Sequence, residues 1–458
     1  MTLLIRRPAL AAFLTLHAAT AAFAQQGDLK PNTAVNGPSL TFDWPALHIG
    51  VGTYEEGPTG LTIFRFPDGA AGVVDVRGGA PGTVNTDLLR VGSEDKFIDA
   101  IVFAGGGLYG HEAVAAVATG LKDNGDESGL WNETAIVPGA EIYDFQNHRL
   151  NEIYPDKRLA RAALDALRPG LFPLGAQGAG RMAMQGGFFG CGAHSGQGAA
   201  FRQIGDVKIA AFTVVNALGA VTDRDGRLVR CHQDPGWRAA RTADVLARVP
   251  LDTANASLKP VAGTPVPTRR NTTLSLIVTN RKLGAAALQR LAVQVHTSMA
   301  RAIQPFSTFD DGDVLFALST QEVESADMRL DDLNTIAGEL MWDAVLASVP
   351  DEAPFAPPTE DASIPEARLA SYAGTYVFGP NARIKITAEN GRLTAEALSQ
   401  SFFDLQRNRP IRLRAISDGA FYSDGRYRTR ITFTRSMVGR VNGATINPGR
   451  WQQAGTRE

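Results

Sequence analysis

Cysteine is nearly absent. The 458 residues hold two, Cys191 and Cys231. No C-x-x-C spacing exists, which excludes zinc ribbons and thioredoxin-like chemistry. Seven histidines are scattered without an H-E-x-x-H pattern, so no metal is expected. Charge of one sign is lacking too. Lys and Arg number 45 against 47 Asp and Glu, a net charge of −2 with no basic run, which argues against a nucleic-acid partner. After residue 24 no segment reaches the ~18 uninterrupted apolar residues that a membrane-spanning helix needs. A G-x-x-x-x-G-K-S/T loop and a clean G-x-G-x-x-G fingerprint are both missing, so no nucleotide site and no cofactor are expected. The acidic run Asp310-Asp311-Gly312-Asp313 is too short for an EF-hand loop, so no calcium site is read there.

What is present begins with an export signal. Residues 1–24 carry Arg6 and Arg7, then an apolar stretch, then Ala22-Phe23-Ala24 as an A-x-A site before Gln25. Pro8 and its neighbours fit twin-arginine export poorly, so ordinary export to the periplasm or beyond is expected. That compartment allows a Cys191–Cys231 disulfide. Two separate buried thiols are the alternative.

Glycine is plentiful, at 47 residues scattered among apolar segments, which suits close backbone approach. Short strands follow one another from Leu47 to Gly79, with Gly57-Pro-Thr-Gly and Pro67-Asp-Gly-Ala as turn signals. Ile101-Val-Phe reads as a strand, Gly105-Gly-Gly as a bend that can aim amide N–H groups at a ligand, and His111 to Leu121 as a helix. Further strands are expected at Ala135–Asp144, Ile209–Val215, Thr273–Val278 and Val314–Leu318. Helices are expected at Arg158–Leu167, Gly284–Ile303 and Ile336–Val349, and a hairpin around Asp225-Gly226. On pattern alone, two packed sheets between helix layers and a doubly wound sheet are equally compatible.

The stretch VPDEAPFAPPTEDASIPE is rich in proline and acids and reads as a linker, 349–365. It separates a main domain, 25–348, from a small all-β domain, 366–458, a barrel or meander of alternating strands. No internal repeat is evident.

The chemistry centres on RRNTTLSLIVTN, where a proline-bearing loop turns into an apolar strand at Thr272. A threonine hydroxyl is a weak nucleophile. It becomes useful when its own α-amine, of pKa roughly 7.7–8, serves as base. That amine exists only if the Asn271–Thr272 bond is cut, and the hydroxyl can do so by an N-to-O acyl shift. Thr273 competes for the role, and a structural strand-start threonine is the plainer reading.

Seven ordered stretches carry a family resemblance: VGTYEEGPTGLTIFRF, VFAGGGLYGHEAVAAV, VPGAEIYDF with RLNEIYPD, GAQGAG, VVNALGAV, NTTLSLIVTN and DGDVLFALST. Together they resemble the L-aminopeptidase/D-amidase-esterases and β-peptidyl aminopeptidases, from about Ile49 to Ala347. The resemblance implies an α/β fold, a four-layer αββα sandwich, cleaved at 271/272 into subunits that stay associated in a homo-oligomer. It implies Thr272 as N-terminal nucleophile and Asn271 as donor of the scissile carbonyl. Asn216 falls on an oxyanion-hole amide, Tyr143 on a second hydroxyl, and Glu141 on the acid holding the substrate's ammonium. Asp311 and Asp313 fall beside the nucleophile, where some members have Ser and Glu. Gln185 to Ala200 departs from the lysine- and glycine-rich segment of many members. The expected substrates are short peptides, amino-acid amides or esters. An ornithine-acetyltransferase-type acyltransferase and an uncleaved peptide-binding protein are the alternatives. The C-terminal domain looks like the small β-barrel appended to some secreted serine hydrolases.

Overall fold

A computed structural model of the chain describes residues 29–55, 58–93, 97–126, 130, 133–145, 153–189, 192–231, 240–248, 271–324, 327–349, 355, 357–379, 382–398, 404–425, 428–447 and 452–458. The expected export signal, the loop at 251–270 and Cys191 lie outside them.

Nine strands matter for the site: β1 (His48–Tyr54), β2 (Thr59–Val76), β3 (Thr83–Val84), β4 (Phe97–Ala104), β5 (Gly139–Glu141), β6 (Gln197–Ile204), β7 (Val207–Asn216), β8 (Thr272–Arg281) and β9 (Val314–Val323). Their ladder runs β6-β7-β8-β9-β2-β4-β5-β3, with β1 on the free side of β2. β2 is the hinge of this arrangement. Its first half pairs with β1, and Val76 to Ala71 pair with β9. Between the halves the register breaks at Arg65/Ala70. Pro67-Asp68-Gly69, expected to be a turn between strands, is instead an irregularity inside one strand. Pro67 and Asp68 are exposed there and Gly69 has φ of 73°, so the chain bends and passes from one sheet half to the other without ending.

Alternation along the strands then builds four layers. Phe64, Phe66, Phe103, Phe212, Leu276 and Phe316 share one core between the two sheet halves. Phe64 and Phe212 meet across it at 5.0 Å between ring centroids. Their neighbours in sequence point outward. Leu61, Ile63 and Val102 pack under α1 (His111–Asn124) and α2 (Lys157–Asp165). Ile209, Ile277 and Leu315 pack under α3 (Ala285–Ser298) and α4 (Leu330–Ala347). The result is the αββα sandwich. Gly198 shows how tightly one helix sits: a Cβ there would strike the Ala344 carbonyl and meet the Ser348 amide at 2.5 Å.

Most expected elements appear with longer or shifted ends. Ala135–Asp144 is strand only at Gly139–Glu141. Ile136 gives its N–H to the Asp99 carboxylate at 2.7 Å and Pro138 has none to give, so the ladder cannot start earlier. After residue 366, strands from Gly374–Gly379 to Gln453–Arg457 close a barrel, eight-stranded among the described residues, around Tyr372, Tyr376, Ile384, Phe421 and Ile446. Among the described residues no helix is long and apolar enough to cross a membrane.

Candidate active site

β8 and β9 run parallel, so both begin at the same edge of the sheet. β7 runs antiparallel to β8 and ends at that edge. One strand terminus and two strand starts therefore converge, bringing Asn216, Thr272 and the Asp311–Asp313 segment together. Asn216 lies opposite Thr272 in register. Asn271 continues β8 backward and bridges to Asp311.

Thr272 is buried, at 2% exposure. Its Oγ1 donates to the Asn271 carbonyl oxygen at 2.6 Å, across the peptide bond that joins the two residues. The same oxygen accepts the Gly312 N–H at 2.8 Å. Asn271 also donates from its side chain to the Asn216 carbonyl at 3.2 Å.

Both aspartates are fully buried. Asp313 accepts the Thr273 N–H at 2.8 Å on one oxygen and the Ser307 N–H at 2.8 Å on the other. Asp311 accepts the Leu218 N–H at 3.0 Å. Burial pushes the Asp311 carboxyl well above the ordinary range, and the neighbouring Asp313 charge adds to this. Burial raises Asp313 too, against the lowering effect of its N–H donors and of His296.

His296 is a residue that sequence reasoning missed. It lies on α3, wholly buried, and its Nδ1 shares a 3.0 Å hydrogen bond with the Asp75 carboxylate. Burial would raise Asp75, but the bonds from His296 and Arg77 outweigh it and hold it below its usual value. Nothing local signals a pair 221 residues apart. Gly312 was also missed, because Asp-Asp-Gly-Asp reads as turn chemistry.

Asn216 is held from both sides. Its oxygen accepts the Met184 N–H at 3.1 Å and its amide donates to the Tyr143 carbonyl at 3.0 Å. Tyr143 thus joins the site through its main chain, while its ring packs edge-on against Phe145 at 5.3 Å. Glu141, also buried, ends β5, and its N–H donates to the Gly82 carbonyl at 3.1 Å. A Cβ on Gly82 would overlap the Glu141 carboxylate. Contrary to the expectation from the sequence, the glycine bend at 105–107 does not offer its amides to a ligand. They are spent on the Gly60 carbonyl, the Asp144 carboxylate and the Ile142 carbonyl. In the segment that departs from the family pattern, Gln185 is buried and ties the Val221 N–H to the Arg230 carbonyl. Of the two cysteines, Cys231 is disulfide-bonded and buried.

The four-layer sandwich thus brings a hydroxyl, two carboxylates and a held amide to one sheet edge, a set of groups suited to acyl-transfer chemistry. A family model for peptidase family S58 matches residues 41–354. The chain belongs to that family. It is 43% identical over 331 residues to a 6-aminohexanoate-oligomer endohydrolase of Paenarthrobacter ureafaciens, covering 70% of this chain and 88% of the relative. A protein of the same description from Kocuria sp. (strain KY2) is 42% identical over the same shares. Among solved structures it is similar to an L-aminopeptidase D-Ala-esterase/amidase from Ochrobactrum anthropi, with a TM-score of 0.47 and 18% identity over 69% of this chain and 87% of that one.

Proposed function

We propose that this protein is an exported hydrolase that cuts itself between Asn271 and Thr272 and then uses Thr272 as an N-terminal nucleophile. The observation carrying this reading is the pair of contacts on one carbonyl: the Thr272 hydroxyl at 2.6 Å and the Gly312 N–H at 2.8 Å.

In maturation the Thr272 oxygen adds to the Asn271 carbonyl carbon. The C–N bond breaks, the hydroxyl proton ends on the departing nitrogen, and an ester joins the two chains. Water hydrolyses that ester, leaving an Asn271 carboxylate, a free hydroxyl and a free α-amine. In turnover the amine takes the hydroxyl's proton as it attacks the substrate amide. Asp313 orients the start of β8 through the Thr273 N–H, and Asp311 lies beside it. The Asn216 amide serves the substrate's oxyanion and Tyr143 adds a hydroxyl. Glu141 holds the substrate's ammonium. No cofactor takes part in these steps.

The substrates are short peptides, amino-acid amides or esters with a free amine. The two relatives named above favour a second reading of substrate length, in which linear oligoamides are cut internally. A homo-oligomer of processed pairs follows from the same reading. A groove of about 270 Å³ with exposed Leu88, Val91 and Phe97 at its rim supports such a contact surface.

The test is intact mass and N-terminal sequencing of the purified protein beside Thr272→Ala. Two chains, one beginning Thr-Thr-Leu-Ser, with an uncut variant, are expected. A single uncut wild-type chain removes the amine from the mechanism. Assay of a free-amine oligoamide beside its N-acetylated form then separates the two substrate readings.

A further inference from the structure

We propose that the main-chain N–H of Gly312 is the oxyanion donor of the self-cleavage step, and that this step and substrate turnover use different donors. The inference rests on the self-cleavage reading above.

When the Thr272 oxygen adds to Asn271, the carbonyl oxygen takes up the negative charge. That oxygen already accepts the Gly312 N–H at 2.8 Å. The donor expected from the sequence, Asn216, is engaged elsewhere in the intact chain. Its side-chain amide donates to the Tyr143 carbonyl, and its oxygen is held by Met184. Charge is best stabilised by a donor fixed before the reaction begins, and Gly312 meets that requirement.

The surrounding backbone fixes the donor. Arg77 and Gly78 donate to the Asp313 carbonyl at 3.1 and 3.2 Å, and Ala80 donates to the Asp311 carbonyl at 3.0 Å. Residues 77–80 thus clamp both sides of Gly312. Space around it admits no side chain. A Cβ at 312 would lie 2.5 Å from the Ala80 carbonyl oxygen and 2.6 Å from Thr272 Oγ1. Glycine is needed here for room beside the nucleophile, and its amide is left aimed at the bond to be cut.

The experiment replaces Gly312 with glycolic acid in cell-free translation of the full chain, which deletes the N–H and preserves the shape. Asn216→Ala, wild type and Thr272→Ala are run beside it. Precursor decay is followed by pulse-labelling, and amide hydrolysis is measured on whatever processed protein forms. Removing one oxyanion donor typically costs about 10²–10³ in rate. The expected result is a loss of that size in processing for the 312 ester, larger than its loss in hydrolysis per processed chain. Asn216→Ala is expected to show the reverse ratio. Equal or reversed ratios overturn the assignment, as does wild-type processing of the ester. If the ester chain fails to fold by protease resistance, the Asn216→Ala ratio alone decides. A precursor lacking the Asn216 amide that stalls in processing as badly as in turnover sinks the proposal. Should Thr272→Ala still be cut, or wild type never be cut, the self-cleavage reading itself falls, which separates the two failures.

Discussion

Asn216 and Thr272 face one another directly, the last residue of one strand against the first residue of its antiparallel neighbour. The strand periodicity of two puts both side chains on the face that also carries Val214 and Leu274, toward the inter-sheet core. A hydroxyl and a side-chain amide are thereby paired by sheet register rather than by loop conformation. Positions 213 and 273 fall on the other face, toward α3, which keeps the Thr273 hydroxyl off the face of Asn216 unless the register slips.

Asp313 tests the support behind that register. Its two carboxylate oxygens each accept a main-chain N–H, from Thr273 and from Ser307. Asp313→Asn turns one acceptor into an NH₂ group facing a donor. A buried N–H left unmatched costs about 1–3 kcal/mol. In the Thr272→Ala background, the urea midpoint should fall accordingly. An unchanged midpoint would mean that the two N–H groups find other acceptors.

Asp311 gives a pH dependence with a definite sign. Its carboxyl is raised in the folded chain by burial and by Asp313. A raised acid contributes stability that is complete below its ordinary value of 3.8 and is lost as pH rises through the folded value. Asp311→Asn keeps an acceptor for the Leu218 N–H and removes the titration. The difference in Tm, variant minus parent, should therefore grow as pH rises from about 4 toward neutrality. A flat difference across that range would show that the folded chain does not shift Asp311.

Much of this was legible in the chain itself. The apolar run after Thr272, the strand ending at Asn216 and the two aspartates before Val314 are local patterns, and the family resemblance put them in one site. Other features depend on what comes near after folding. Pro67-Asp68-Gly69 is turn chemistry by composition, yet strand partners on both sides keep β2 continuous through it. The 105–107 amides are exposed donors in sequence, but the Gly60 carbonyl reaches one only once β2 pairs with β4, and Asp144 and the Ile142 carbonyl reach the others only once β5 pairs with β4. Asp75 and His296 belong to a strand and a helix from opposite ends of the main domain. Gly312 gave a turn signal, which is silent about where its N–H points.

Phe212 tests the four-layer packing. It is fully buried and sits 5.0 Å from Phe64 and 5.0 Å from Phe172 between ring centroids. Phe64 lies in the half-sheet under α1 and α2, whereas Phe212 lies in the half under α3 and α4. Removing the ring opens a void between the halves that neither can collapse to fill. Phe212→Ala should cost about 3–5 kcal/mol in the Thr272→Ala background, read by urea denaturation. A loss below about 1 kcal/mol would be too small for a side chain shared by both sheets.

Cys231 links the fold to the export reading. It is disulfide-bonded and packs with Ala220 and Leu228, near the turn that follows β7. The chain's other cysteine is Cys191, outside the described residues. A bridge acts mainly by restricting the unfolded chain and is worth about 2–4 kcal/mol for loops of this kind. It persists only in an oxidising compartment. Protein exported with its own signal should resist thiol alkylation until it is denatured and reduced. Protein made in the cytoplasm without residues 1–24 should alkylate at both cysteines on denaturation. Cys231→Ser should lower the Tm of exported protein, and reductant should lower the parent to match while leaving the variant unmoved. If reductant shifts both alike, the bridge is not what stabilises this edge of the sheet, and the argument from compartment to fold fails with it.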